Sequence, residues 1–433
     1  NPGIDLLPVA FVDDDERKHG LSLHGVPIMG GCDQIPEIAR DQEIGLVIIA
    51  MPTASGKVIR KTMTTCQELN VRCQTVPGLY ELIIGDHRVS DFRNVRVDDL
   101  LRRKPVAIDL EEVKQFVEGK RVVITGAGGS IGSELSRQVA NFAPESVVLF
   151  EISESHLFSV LSDLVERFPQ VRFAPTIGDV RDRSRVLSAF FEYRPQIIFH
   201  AAAHKHVPLM ERNIQEVVAN NIFGTQNVIE AALEVDAGHC VLVSTDKAVM
   251  PSSAMGVSKR VAELITQRAA SNSSAVFVVV RFGNVLGSSG SVVPVFQGQI
   301  ARGGPVTVTD PGVERYFMTA QEAISLILQA AAIVRGGEIF VLDMGKPVKI
   351  VDLAHDLIRL SGLEPGQDID IVFTQLQPGE KQREELFSPW QEKLVTKHSK
   401  IFMAREQPSE GLDLEGYLEE LKKLLEIRDE GAL

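Results

Sequence analysis

Residues 122–132 read Val122-Val123-Ile124-Thr125-Gly126-Ala127-Gly128-Gly129-Ser130-Ile131-Gly132, and this stretch decides the fold. A short apolar run that ends in a glycine turn and opens a helical segment is a strand–turn–helix. The N–H groups at such a helix N-terminus hold the pyrophosphate of a dinucleotide. The candidate contacts are Gly126, Gly128, Gly129, Ser130, Ile131 and Gly132. Working outward, apolar runs at 121–125, 146–150, 172–176, 197–200, 240–244 and 276–281 read as strands, with amphipathic helical stretches at 133–142, 155–168 and 215–233 between them. Strands joined by helical crossovers predict an α/β fold, a doubly wound parallel sheet of the Rossmann type.

The ends of the next strands carry the rest of a cofactor site. Glu151 stands 19 residues beyond Gly132. An acid there accepts hydrogen bonds from both adenosine ribose hydroxyls and repels a 2′-phosphate, which favours NAD over NADP. Asp179, followed by Val180, ends the third strand and can meet the adenine amino group; a solvated strand end for Glu151 and a helix cap for Asp179 are the structural alternatives. The fourth strand runs into Ala201-Ala202-Ala203-His204-Lys205-His206. Its small residues let the backbone approach a cofactor. His204 and His206 lack a third ligand at suitable spacing, so no metal is expected. Lys205 is expected to face the substrate.

The bulk properties narrow the class. A chain of 433 residues exceeds one compact core, so two or three domains are expected. Its net charge of −13 argues against nucleic acid as the main partner. Cys32, Cys66, Cys73 and Cys240 show no metal or disulfide spacing, which suits a reducing compartment. No run reaches the roughly 18–20 apolar residues that span a bilayer. Residues 1–85 read as a Rossmann-like domain truncated at its front, with strands at 9–12, 46–50 and 71–73 and helices near 33–41 and 54–69. A truncated domain of this kind is expected to serve as a scaffold. Residues 86–118 form a charged linker with Arg102-Arg103-Lys104-Pro105 and a helix at 109–118. The catalytic domain is expected over 119–433, with the cofactor core at 119–285. An irregular substrate part follows at 286–433, with helices at 321–335, 350–361 and 412–428 and a strand at 339–343.

Two further stretches carry chemistry. Thr245-Asp246-Lys247 ends a central strand, the usual ligand edge of an open α/β sheet. Ten residues on, the chain reads Met255-Gly256-Val257-Ser258-Lys259. With the glycine turn, Ala201–Ala203, Asn221-Ile222-Phe223-Gly224-Thr225 and Arg281-Phe282-Gly283-Asn284, the chain resembles the extended short-chain dehydrogenases of the nucleotide-sugar epimerase/dehydratase group. Relatives place Tyr-x-x-x-Lys where this chain has Met255 and Lys259. Asp246-Lys247 together with that methionine resembles the membrane-anchored bacterial UDP-N-acetylglucosamine 4,6-dehydratases. First-domain stretches take part too: Gly25-Val26-Pro27, Ala50-Met51-Pro52 and Val76-Pro77-Gly78-Leu79.

The resemblance implies a set of roles. Oxidation at C4 by NAD makes C5 an α-carbon; Asp246 protonates the leaving C6 hydroxyl, Lys247 removes the C5 proton, and Thr245 can hydrogen-bond the C4 hydroxyl. Both groups would have to leave their ordinary charge states to act so, which an Asp–Lys ion pair opposes. Lys259 would bind the nicotinamide ribose. Met255, an apolar filler at the substrate site, excludes the tyrosine mechanism and leaves the acceptor of the C4 hydroxyl proton open. Asn284, Arg302 and Arg315 are candidates for uridine diphosphate, and Pro378-Gly379-Glu380-Lys381 resembles another stretch near the nucleotide. Retention at C5 is expected, as is at least a homodimer. Membrane segments are expected to precede Asn1 in a parent protein on the cytoplasmic face of the inner membrane, the present chain being soluble. The alternatives are a UDP-sugar 4-epimerase and a non-catalytic NAD-binding sensor or scaffold.

Overall fold

The computed structural model describes residues 6–77, 92–101, 108–406 and 413–427. The chain divides into two compact units, Asn1–Pro105 and Val106–Leu433. Gly78-Leu79 and Arg102-Arg103-Lys104-Pro105 lie outside the described residues.

The first unit holds two small sheets in place of the single sheet expected. Phe11–Val12 pairs parallel with Val26–Gly30, whose other edge takes Ser22–Leu23 antiparallel. Separately, Leu46–Ile49 and Arg72–Thr75 pair parallel across the helix Gly56–Glu68, and Arg93–Asn94 closes that sheet antiparallel. Arg93 binds the buried Asp99 carboxylate at 2.6 Å, so residues that the sequence assigns to the linker fold with this unit.

The second unit is built on a nine-stranded sheet. Seven strands run parallel: β1 (Arg121–Thr125), β2 (Ser146–Glu151), β3 (Phe173–Ile177), β4 (Ile197–His200), β5 (His239–Val243), β6 (Val276–Arg281) and β7 (Ile339–Leu342). They lie in the order β3-β2-β1-β4-β5-β6-β7, and an antiparallel hairpin of β8 (Glu392–Val395) and β9 (Ile401–Arg405) extends the far edge through β9. Strand order reverses between β1 and β4, and ligands of open α/β sheets bind at that crevice. Strands covered on both faces read as near-continuous apolar runs; Val122, Val123 and Ile124 are all buried. Helices α1 (Ser130–Ala140), α2 (Gly224–Glu234), α3 (Ala254–Ser271), α4 (Val292–Ala301) and α5 (Ala320–Ile333) position the site. Among the described residues no helix is long and apolar enough to cross a membrane.

Three elements differ from expectation. The stretch at 215–233 is interrupted by a π-helical turn at Val218–Phe223, which turns Asn220 and Asn221 inward. Helix α4 falls in the part read as irregular, because Pro294 and Gly298 weaken its helical signal and packing of Val293, Phe296 and Ile300 overrides it. The β8–β9 hairpin is an edge addition whose strand β8 is mostly exposed and so lacks an apolar pattern.

Beneath the ligand edge lies an ionic network. Glu263 on α3 accepts hydrogen bonds from Arg281 Nε at 2.7 Å and Nη2 at 2.6 Å, and from Ser244 Oγ at 2.7 Å. Arg281 Nη1 reaches Gln391 Oε1 at 3.1 Å. Burial works to raise the Glu263 carboxyl, but Arg281, Arg260 and the Ser244 hydroxyl together outweigh it and hold the group below the usual carboxylate range. The contribution of this pair is therefore present above the unfolded carboxylate pKa and lost as pH falls through the lower folded value. Breaking a buried pair by removing one partner costs about 3–5 kcal/mol. Glu263→Gln is expected to lower unfolding free energy in urea by about that amount at neutral pH, with the deficit shrinking in acid; an unchanged urea midpoint would contradict it.

Candidate active site

The glycine turn is built for close approach. Gly126 has φ 67°, and a Cβ there would lie 2.8 Å from the backbone of Ala202. Gly132 packs the start of α1 against the turn, where a Cβ would strike the Gly126 carbonyl. Glu151 accepts hydrogen bonds from Gly128 N–H at 2.9 Å and Ser153 N–H at 3.0 Å, so its carboxylate also fastens the turn. A pocket of about 220 Å³ opens beside it, lined by Gly126, Gly129, Glu151, Asp179, Val180 and Ala201 to Ala203. Burial raises the Asp179 carboxyl, but hydrogen bonds from Arg181 prevail and hold it below its ordinary value.

A second cavity of about 380 Å³ lies across β4 and β5. Ile131, Ala201, Ala203, Lys205, Thr245, Lys247, Met255, Lys259, Asn284 and Arg315 all line it. At the end of β5, Asp246 N–H donates to the Phe282 carbonyl at 3.0 Å, which fixes the triplet against the end of β6. The Asp246 carboxylate is buried; its Oδ1 accepts from Thr245 Oγ1 and Lys247 Nζ, each at 3.0 Å, while Oδ2 has no partner. Lys247 Nζ also donates to Asn284 Oδ1 at 3.1 Å and lies 3.9 Å from Glu384 Oε1. This cluster joins a buried ion pair to a second buried carboxyl group.

Helix α3 presents Met255 and Lys259 one turn apart, both buried. Lys259 Nζ donates to the Val243 carbonyl at 2.7 Å, and burial pushes the amine down to about 8. Asn221, placed by the π turn, holds His204 N–H at 2.8 Å and donates to Ser258 Oγ at 2.9 Å, tying the β4 loop to α3. His200 is held between Thr125 and Thr225, and burial takes its pKa down to about 3, so it is a neutral structural group. Burial lowers Lys205, with Lys247 adding to the effect.

Not every expected residue arrives here. Arg302 is exposed at the C-terminal end of α4, apart from the residues that line the cavity. Arg315 is present but engaged: it donates to the carbonyls of Glu314, Lys381 and Gln382 and to Glu380 Oε1 at 3.2 Å. It thereby seats the 380–382 loop. Ser130 accepts from Ser289 N–H at 3.1 Å, joining the glycine turn to the loop before α4. Sequence reading missed Glu263 and Glu384. Glu263 is four residues after Lys259 and so on the same helical face, a usable signal; Glu384 sits in a charged loop with no local pattern to mark it.

The profile of the polysaccharide biosynthesis protein family matches residues 122–406. The chain belongs to that family. Residues 2–77 match a CoA-binding domain. Among family relatives, the probable polysaccharide biosynthesis protein EpsC of Bacillus subtilis is 46% identical over 385 residues, covering 89% of this chain and 64% of EpsC. The chain thus spans less than two thirds of that relative's length. A Campylobacter jejuni protein named UDP-N-acetylglucosamine 4,6-dehydratase (inverting) is 34% identical over 260 residues, 58% of this chain and 76% of its own. Its name speaks for inversion, so the expectation of retention at C5 is withdrawn. A Rickettsia canadensis relative named UDP-glucose 4-epimerase is 37% identical over 236 residues, 52% of this chain and 66% of its own. The solved structure of Pen from Bacillus thuringiensis superposes with a TM-score of 0.63 at 33% identity, covering 71% of this chain and 98% of Pen. The Streptomyces venezuelae dTDP-glucose 4,6-dehydratase DesIV, solved with NAD and TYD, shares the fold at TM-score 0.55 and 21% identity over 71% of this chain and 98% of DesIV.

The depressed Lys259 gives a pH prediction. Below about 8 both folded and unfolded states carry the proton, so the burial cost is fully present. Between there and the ordinary value of 10.5 the folded state releases the proton first, and stability rises with pH. Lys259→Met is expected to abolish this rise, read as urea unfolding free energy at pH 7 and pH 9.5 relative to wild type. An equal slope in both proteins would contradict the assignment.

Proposed function

We propose that this chain performs an NAD-dependent 4,6-dehydration of UDP-N-acetylglucosamine, giving a UDP-2-acetamido-2,6-dideoxy-4-ketohexose. The observation that carries the reading is the Asp246–Lys247 pair at the ligand edge, facing a cavity that holds Met255 in place of an ionisable tyrosine. The residues fit a dinucleotide: a side chain at Gly126 would fill the cradle against Ala202, and Glu151 and Asp179 line the neighbouring pocket. NAD, when bound, supplies the acceptor for the C4 hydride and its return at C6.

The chain's own groups move the protons. Thr245 Oγ1 lies between the cavity and Asp246 Oδ1, so the C4 hydroxyl proton passes through it to the Asp246 carboxylate. Asp246, now protonated, delivers that proton to the C6 hydroxyl, which leaves as water. Lys247, as the free amine, takes the C5 proton and returns a proton to C5 when C6 is reduced. The proton lost at C4 is the one gained by water, so no net proton is consumed. This assigns the acceptor that the missing tyrosine would otherwise supply.

The epimerase reading keeps C4 oxidation but needs no acid at C6, and so gives the Asp–Lys pair no task. The same reading assigns UDP contacts to Asn284 and, through the loop it seats, Arg315. It gives the first unit a scaffolding role, pairs copies through helices of the cofactor core, and anchors the parent protein to the cytoplasmic face of the inner membrane. Asp246→Asn tests it: loss of a general acid is expected to lower water loss from UDP-N-acetylglucosamine by about 10²–10⁴-fold with NAD still bound. Turnover at the wild-type rate would refute it.

A further inference from the structure

Lys247 cannot act as a base while it keeps its ammonium proton. Its Nζ donates to both Asp246 Oδ1 and Asn284 Oδ1, the pattern of a charged lysine in an ion pair. Protonation of Asp246 during C4 oxidation removes the partner of that ammonium but leaves its proton in place. A second acceptor is required, and a carboxyl group stands ready. The Glu384 side chain is 4% exposed, its Oε1 is 3.9 Å from Lys247 Nζ, and its buried Oε2 has no hydrogen-bond partner.

The loop around Glu384 is built to present it. Gln382, Arg383 and Glu385 are exposed while Glu384 turns inward. Four charged groups face it: Lys247, Asp246, Arg315 and Lys381. Arg315 is spent on Glu380 and three carbonyls. Lys381 is spent on Glu385 and the Val249 carbonyl. That leaves Lys247 as the cation whose proton Glu384 is placed to share. Burial raises the Glu384 carboxyl, Lys247 opposes the rise and Asp246 adds to it; the net direction makes the group a better proton acceptor.

We propose that Glu384 takes the ammonium proton of Lys247, freeing the amine to attack C5, and returns it at the end of the cycle. The inference rests on the dehydratase reading. Its steps balance. A Lys247 N–H bond breaks as a Glu384 O–H bond forms, closing the 3.9 Å gap by about 1 Å once a protonated Asp246 releases the lysine. The C5–H bond then breaks as a Lys247 N–H bond forms, and that transfer reverses when C6 is reduced. Finally the Glu384 proton goes back to Lys247. Glu384 is not among the cavity-lining residues whereas Lys247 is, so it is a positioning residue that acts through Lys247.

The test uses the full chain with UDP-N-acetylglucosamine in D₂O, following reduced-nicotinamide absorbance, water loss and deuterium at C5. In Glu384→Gln, reduction is expected at the wild-type rate. Water loss and C5 deuterium uptake should both fall by about 10²-fold and recover as pH rises and solvent takes the Lys247 proton. Wild-type water loss with a wild-type pH profile would overturn the proposal, as would equal loss of reduction and water loss. If Glu384→Gln fails to fold, Glu384→Asp decides: a slowing of water loss greater than that of reduction supports the relay, and equal slowing overturns it. Absence of water loss in the wild type would instead overturn the dehydratase reading, a separate result.

Discussion

The buried carboxylate–guanidinium pair of Glu263 and Arg281 is the constraint on which the ligand edge depends. It joins helix α3 to the end of β6, takes in Ser244 at the end of β5, and reaches Gln391 beside the edge hairpin. Pairs of this kind add little net stability, since desolvation offsets the attraction. What this one supplies is position. Ser244 precedes Thr245, Asp246 and Lys247, and Glu263 follows Lys259 on α3, so one ionic knot sets both the triplet and Lys259.

Above that knot the chemistry turns on an imbalance of charge. Two buried carboxyls, each with an unpartnered oxygen, flank one ammonium. Two like charges beside a single counter-charge do not both ionise freely. The proposed proton relay rests on this arrangement. Met255 contributes by omission: it places no ionisable group at the turn before Lys259, so the proposed route runs through Thr245 and Asp246.

Much of this was legible in the sequence, for definable reasons. The inner strands are buried on both faces, so each appears as a nearly unbroken apolar run, and β1 and β4 match their expected bounds. The glycine turn is legible because Gly126 has a backbone that other residues rarely adopt. Thr245 to Lys247 were found because they are contiguous. What escaped depends on distance in the chain. Glu384 approaches Lys247 across a separation of 137 residues in the chain, and Arg315 looks like a free phosphate ligand until its loop partners are seen. Helix α4 and the edge hairpin were hidden because tertiary packing overrides their local propensities.

The central claim is that the Asp246–Lys247 pair drives loss of water with an internally recycled hydride. The most direct measurement is mass spectrometry of UDP-N-acetylglucosamine incubated with the purified chain in D₂O, with no cofactor added. The account predicts a product lighter by one water that carries solvent deuterium at C5. Conversion to the C4 epimer with the original mass, or NAD-loaded protein that leaves the sugar unchanged, would contradict it.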